Sequence, residues 1–208
     1  MKDSYSKNGE DLFIHEQIFS KRTKPGIYVD LGAGDGINNN NTLAFEKMGW
    51  NGIIQEEPGD LFEELKNNRY GNGNKITDIP VGTSKGILSD VLTATNTQQI
   101  DLFSIQNKVS IANILEQMDW KVPVGVWILT FNKNEDSKDR ARKLLKNNGY
   151  TFYTQFHGSE IWLGSDLENY NGKTRIEDGN KEAPAKTTAL RVLLLFALTE
   201  LILNIRKQ

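Results

Sequence analysis

At 208 residues the chain is long enough for one α/β domain with a sizeable core and too short for two. Its 25 basic residues meet 27 acidic ones, for a formal net charge of -2. That balance argues against a nucleic-acid partner, because phosphate neutralisation needs a concentrated basic face. Cysteine is absent, which excludes disulfides, thiolate catalysis and cysteine-based zinc sites and suits a reducing cytoplasm.

Residues 4–20 carry Leu12, Ile14, Ile18 and Phe19 among polar neighbours, a pattern that predicts a short amphipathic helix. Ile27–Leu31 reads as a short buried strand that runs into glycines. Residues 41–48 read as a helix stopped by Gly49 and residues 52–55 as a second strand. Residues 60–69 read as a helix with Leu61, Phe62 and Leu65 on one face. Strand patterns follow at 75–81 and 100–105, a helix at 111–118, a strand at 124–131 and a helix at 137–147 closed by Gly149. Within that last helix, Arg140, Arg142, Lys143 and Lys146 follow Glu135, Asp136 and Asp139, as on a solvated face. Two final strands, 150–156 and 160–163, flank a turn at His157, Gly158 and Ser159.

Strands alternating with helices predict an α/β fold of the Rossmann-like kind, a doubly wound and mostly parallel sheet with an antiparallel edge at its end. This domain is expected to occupy residues 1–165. Residues 166–186 are rich in Asn, Gly, Asp, Glu, Lys and Pro and read as a polar linker. Residues 187–208 read as an apolar C-terminal helix, interrupted by Arg191 and Glu200 and so short of the ~20 apolar residues of a membrane span. Leu190, Leu194, Ala197, Leu201 and Ile205 would line one face of it. That face must bury itself on its own domain, in self-association or against a membrane surface. The polar first ten residues lack the apolar run of a signal peptide, so the expected location is cytoplasmic.

The strongest local signal is Val29-Asp30-Leu31-Gly32-Ala33-Gly34-Asp35-Gly36. Glycines at alternate positions let the backbone approach a ligand and take conformations that a Cβ forbids. In an open α/β sheet this loop lies outside the carboxyl ends of the strands, where ligands sit. A dinucleotide fingerprint is G-x-G-x-x-G, and here the third glycine comes one residue early. Asp30 and Asp35 also flank the loop, and carboxylates repel a pyrophosphate. S-adenosylmethionine (SAM) has no phosphate and carries a sulfonium and an ammonium, which acidic flanks suit. Glu56 stands at the end of the second strand, on the order of 20 residues beyond the loop, where a carboxylate can accept ribose hydroxyls. Glu57 is adjacent, and periodicity does not choose between them. Asp30, Gly32, Ala33, Gly34, Asp35, Gly36 and Glu56 are therefore the candidate cofactor residues. Asn38 to Asn41 read either as amide donors to the methionine carboxylate or as a polar turn with a helix cap. His15 and His157 lie far apart in sequence and are assigned no catalytic part, and no metal site is expected.

Over residues 4 to 165 the chain resembles the FkbM family of SAM-dependent methyltransferases. The likeness begins at Tyr5 to Ile14, close to a Ser-Gln-x-Gly-Glu-Asp opening. It continues through Val29 to Gly36, Asn41-Thr42-Leu43 and Glu46 to Ile53, then Glu56 to Arg69. It ends at Gly149-Tyr150 and Glu160 to Leu163. The resemblance implies a sheet of the SAM-dependent methyltransferase type, SAM as cofactor and a sugar, glycan or small hydroxylated acceptor.

One segment departs from the family pattern. Where it has Ile-Asp-x-x-Ser-Ile-Asp-x-Glu-Gly, this chain has Ile100 to Ile105 in agreement, then Gln106, Asn107, Lys108 and Val109. A further family Glu is replaced by Thr130. Methyl transfer to a hydroxyl needs the acceptor proton removed, or a metal that lowers its pKa. Gln106 cannot take a proton, and Lys108 acts as a base only if burial depresses its pKa. Gln106 and Lys108 are the candidate acceptor-side positions; the expectation is a SAM-dependent O-methyltransferase whose turnover these replacements weaken, with a catalytically impaired binding or interaction module as the alternative.

Overall fold

The structure, a computed structural model, describes residues 3–78, 99–106, 110–118, 120–132, 137–165 and 167. They belong to the first of two units into which the chain divides, 1–174 and 175–208. Lys108, residues 79–81 of the third predicted strand, nearly all of the polar linker and the whole apolar C-terminal segment lie outside the described residues.

Seven strands form one sheet in the order β3-β2-β1-β4-β5-β7-β6. They are β1 (Ile27–Leu31), β2 (Asn51–Gln55), β3 (Lys75–Thr77), β4 (Ile100–Gln106), β5 (Val124–Thr130), β6 (Thr151–Phe156) and β7 (Ser159–Leu163). Neighbours from β3 to β5 pair in parallel, while β7 is antiparallel to both β5 and β6. The sheet is mixed, but the reversed strand lies one place in from the edge rather than on it. Composition explains the placement. In β7 Ile161 and Trp162 are buried, whereas Thr151, Phe152 and Gln155 leave β6 open to solvent. The apolar strand therefore takes the inner position and the polar one the edge. The turn joining them holds His157 and Gly158 at φ 47° and 104°, the left-handed pair that a two-residue hairpin loop requires.

Alternation along β1, β4 and β5 splits the core in two. Val29, Leu31, Phe103, Ile105 and Trp127 face α4 (Ile111–Glu116) and α5 (Lys138–Asn147). Tyr28, Ile54, Leu102 and Ile128 face α1 (Glu10–Ile14), α2 (Leu43–Lys47) and α3 (Asp60–Arg69). The predicted helix over 4–20 is shorter than its pattern. Only residues 10–14 are α-helical, followed by a π-helical turn at His15–Phe19. Ahead of it, Asp11 collects the hydroxyls of Ser4 and Ser6 and the amide of Tyr5 at 2.5, 2.7 and 2.7 Å. Short polar side chains here satisfy the backbone in place of helical bonds.

Candidate functional site

The loop after β1 is built by the residues it contains. Gly32, Gly34 and Gly36 all have positive φ, at 76°, 62° and 78°. Two of these glycines answer to different demands. A Cβ on Gly36 would meet Leu65 Cδ1 at 2.6 Å and Arg69 Cγ at 2.8 Å, so this glycine lets α3 close on the loop. A Cβ on Gly34 would meet nothing within 4 Å. Gly34 thus marks open space beside the loop, while Gly36 marks its packed side.

The second-strand acid is resolved by burial. Glu56 is 6% exposed and turned inward, accepting the Gly34 amide at 2.6 Å and the Glu57 amide at 3.1 Å. Glu57 itself is exposed. The β2 terminus also receives the Gly32 and Ala33 amides on the Gln55 carbonyl, each at 3.0 Å. Asp35 takes the amides of Ile37 and Asn38 at 2.9 and 2.7 Å. Burial raises the pKa of its carboxyl, and these backbone donors outweigh that and hold it below the usual aspartate value. The Gly36 amide goes to the Ala33 carbonyl at 3.1 Å. The amides of Gly32, Ala33, Gly34 and Gly36 are consequently spent inside the protein, which disfavours a pyrophosphate, since that group needs a cluster of free donors.

Asp30, at the end of β1, is fully buried. Its Oδ2 accepts Asn40 Nδ2 and Thr42 Oγ1, both at 2.9 Å. Its Oδ1 is buried with no properly oriented partner, although the Ser104 hydroxyl lies close enough to favour the anion. Burial is the dominant influence and pushes this carboxyl above the ordinary aspartate range, against the pull of Thr42 and Arg69. Of the four asparagines, Asn40 serves the start of α2 without being its N-cap, which is Thr42: the Asn40 Oδ1 receives the amides of Thr42 and Leu43 at 3.0 and 2.8 Å. Asn41 reaches across to Ser104 on β4 at 3.2 Å. Asn38 bonds Asp35.

At the far corner, Gln106 and Thr130 are register partners at the carboxyl ends of β4 and β5, and both are partly exposed. Thr130 Oγ1 lies 3.0 Å from Ser159 Oγ, which donates to the buried carboxylate of Glu10 at 3.1 Å. Sequence reading assigned no role to Glu10, Ser159 or Arg69. Glu10 lies on the first helix and Ser159 on the last strand, so no spacing links them. Arg69 had a signal: it sits four residues after Leu65, on the same helix face, and both are buried. Leu61, expected on that face, is instead 41% exposed. Among the described residues, no group of three His, Cys, Asp or Glu side chains could hold a metal ion. Nor is any helix there long and apolar enough to cross a membrane.

Neither a family model nor a curated protein sequence matches this chain. Solved structures do. Monomeric WbdD is similar over 76% of this chain at 12% identity and a TM-score of 0.51, and the match spans 41% of WbdD. A TehB-like SAM-dependent methyltransferase from Corynebacterium glutamicum matches 76% of this chain and 86% of its own, at 12% identity and a TM-score of 0.47. The 1,6-didemethyltoxoflavin-N1-methyltransferase of Burkholderia thailandensis, solved with S-adenosylhomocysteine, matches 76% and 77% at 14% identity and a TM-score of 0.48. At these identities the likeness is one of fold. The FkbM likeness rests on the sequence motifs alone.

Proposed function

We propose that this chain binds SAM and belongs among enzymes that methylate a hydroxyl of a sugar, glycan or other small acceptor. The observation that carries the reading is Glu56, a buried carboxylate held at 2.6 Å from Gly34 beside the open side of the glycine loop. Ribose hydroxyls can displace one amide and bind the same two oxygens. The fit extends to charge. Glu56 places a carboxylate beside a cationic ligand, and the occupied loop amides disfavour a dinucleotide. Bound here, SAM would supply an electrophilic methyl group on its sulfonium.

The chain's own task is then to hold the acceptor hydroxyl and receive its proton. At the Gln106–Thr130 corner, Ser159 spends its only hydrogen on Glu10, so Thr130 must donate to Ser159. Thr130 then keeps only lone pairs for a visiting hydroxyl, and the chain of hydroxyls ends on a carboxylate. A second reading, a catalytically impaired binding module, is favoured by Gln106 itself, an amide where the resembled family has an acid.

Calorimetric titration with S-adenosylhomocysteine tests the first claim, and saturation at one site per chain is expected. Labelled SAM with a panel of hydroxylated acceptors tests the second. The Gln106→Asp variant should exceed wild type by ~10²–10⁴-fold where general-base help is missing. Absence of saturable binding overturns the SAM reading, and wild-type turnover unaffected by Gln106→Asp overturns the impaired one.

A further inference from the structure

We propose that Arg69 is a positioning residue that sets the amino-acid half of the cofactor site from behind the glycine loop, an inference that rests on the SAM reading above. Arg69 closes α3 and is 1% exposed. Its five N–H donors all find acceptors. Nε meets Glu46 Oε2 at 2.6 Å. One terminal nitrogen reaches the Gly36 carbonyl at 2.7 Å and Asn40 Oδ1 at 3.2 Å. The other reaches the Tyr28 hydroxyl at 2.9 Å and Thr42 Oγ1 at 3.4 Å.

A buried Arg–Glu pair alone would be an ordinary core feature, replaceable by apolar residues of similar volume. The remaining partners make this one different. Gly36, Asn40 and Thr42 all belong to the segment between β1 and α2, and Asn40 and Thr42 are the two groups that hold Asp30 Oδ2. The guanidinium therefore ties together the third glycine, the helix cap and the donors that orient the buried acid. Glu46 is fixed in turn by Asn72 at 2.7 Å and by Asn74, so Arg69 pulls the loop against a braced anchor.

The order of strands gives this tie a direction. Glu56 directly follows β2 on one side of β1, whereas Asn41 bonds Ser104 of β4 on the other. A ligand whose ribose rests on Glu56 and which crosses the end of β1 carries its amino-acid chain toward Asn40 to Thr42. Loss of Arg69 should loosen that end and spare the ribose end.

The experiment compares S-adenosylhomocysteine with 5′-methylthioadenosine, which keeps the adenosine half and lacks the amino acid. Affinities are measured by calorimetry on the full chain for wild type, Arg69→Met, Arg69→Lys and Glu46→Gln, with thermal unfolding as a check on folding. Arg69→Met should weaken S-adenosylhomocysteine by roughly tenfold or more, the loss expected of charged hydrogen bonds, and leave 5′-methylthioadenosine within about twofold. Arg69→Lys should recover part of the loss. Should Arg69→Met fail to fold, Glu46→Gln keeps the guanidinium but removes its anchor's charge and should show the same selective loss, smaller in size. Equal losses for both ligands in every folded variant would make Arg69 a structural residue and overturn the proposal, as would unchanged S-adenosylhomocysteine affinity. A wild type that binds neither ligand would instead overturn the SAM reading, and the role of Arg69 with it.

Discussion

Removal of the Glu56 carboxylate should separate ligand binding from folding. In the free protein that group accepts two backbone amides, from Gly34 and Glu57. Hydrogen bonds to a charged acceptor contribute about 1.5–3 kcal/mol each when both partners stay dry. Here Gly34 borders open space and Glu57 is exposed, so water replaces the carboxylate at both amides. Glu56→Ala should therefore cost the free protein only about 1 kcal/mol. With ligand in place the ribose hydroxyls shut out that water and lose the charged acceptor that follows β2. The affinity for S-adenosylhomocysteine should then fall by about 1–3 kcal/mol, roughly 5- to 150-fold. Titration calorimetry with urea unfolding in parallel reads both quantities, and Glu57→Ala serves as the control, expected within about twofold of wild type. Equal affinity in Glu56→Ala, or a larger loss in Glu57→Ala, would refute the assignment of the ribose contact to Glu56.

Two further outcomes follow from buried charges. Arg22 meets Asp101 at 2.8 and 3.1 Å, with side-chain exposures of 10% and 3%, and Asp101 also takes the Ile27 amide at 2.7 Å. Arg22→Met strands that carboxylate and should lower unfolding stability by about 3–5 kcal/mol in urea, with Asp101→Asn restoring part of it; a loss below about 1 kcal/mol would place the pair among surface bridges. Asp30 is held above its ordinary value of 3.8 chiefly by burial, so the folded state keeps this proton more tightly than the unfolded chain. Its contribution is full below pH 3.8 and is lost as pH rises through the higher folded value, so Asp30→Asn should flatten the stability profile over that window. An equally steep profile in the variant would show that another group sets it.

The amino-acid sequence by itself determined the local pieces of this protein. Short apolar runs bounded by turn residues located the strands, because parallel strands covered on both faces read as near-continuous apolar runs while a helix face repeats every three or four residues. The glycine loop and its acidic flanks were legible because positive φ and close approach leave few alternatives to glycine. What only the tertiary structure decided were the relations between distant segments. Glu56 and Glu57 are neighbours with the same chemistry, and only the bonding of the β2 end to the glycine loop shows which one turns inward. The reversed strand β7 sits inside the sheet because burial of Ile161 and Trp162 outweighs the simpler edge placement. Arg69 lies 33 residues from the Gly36 carbonyl it holds, and Glu10 lies 149 from Ser159. No periodicity spans such separations, since those contacts exist only once helices α1 and α3 have closed over the same face of the sheet.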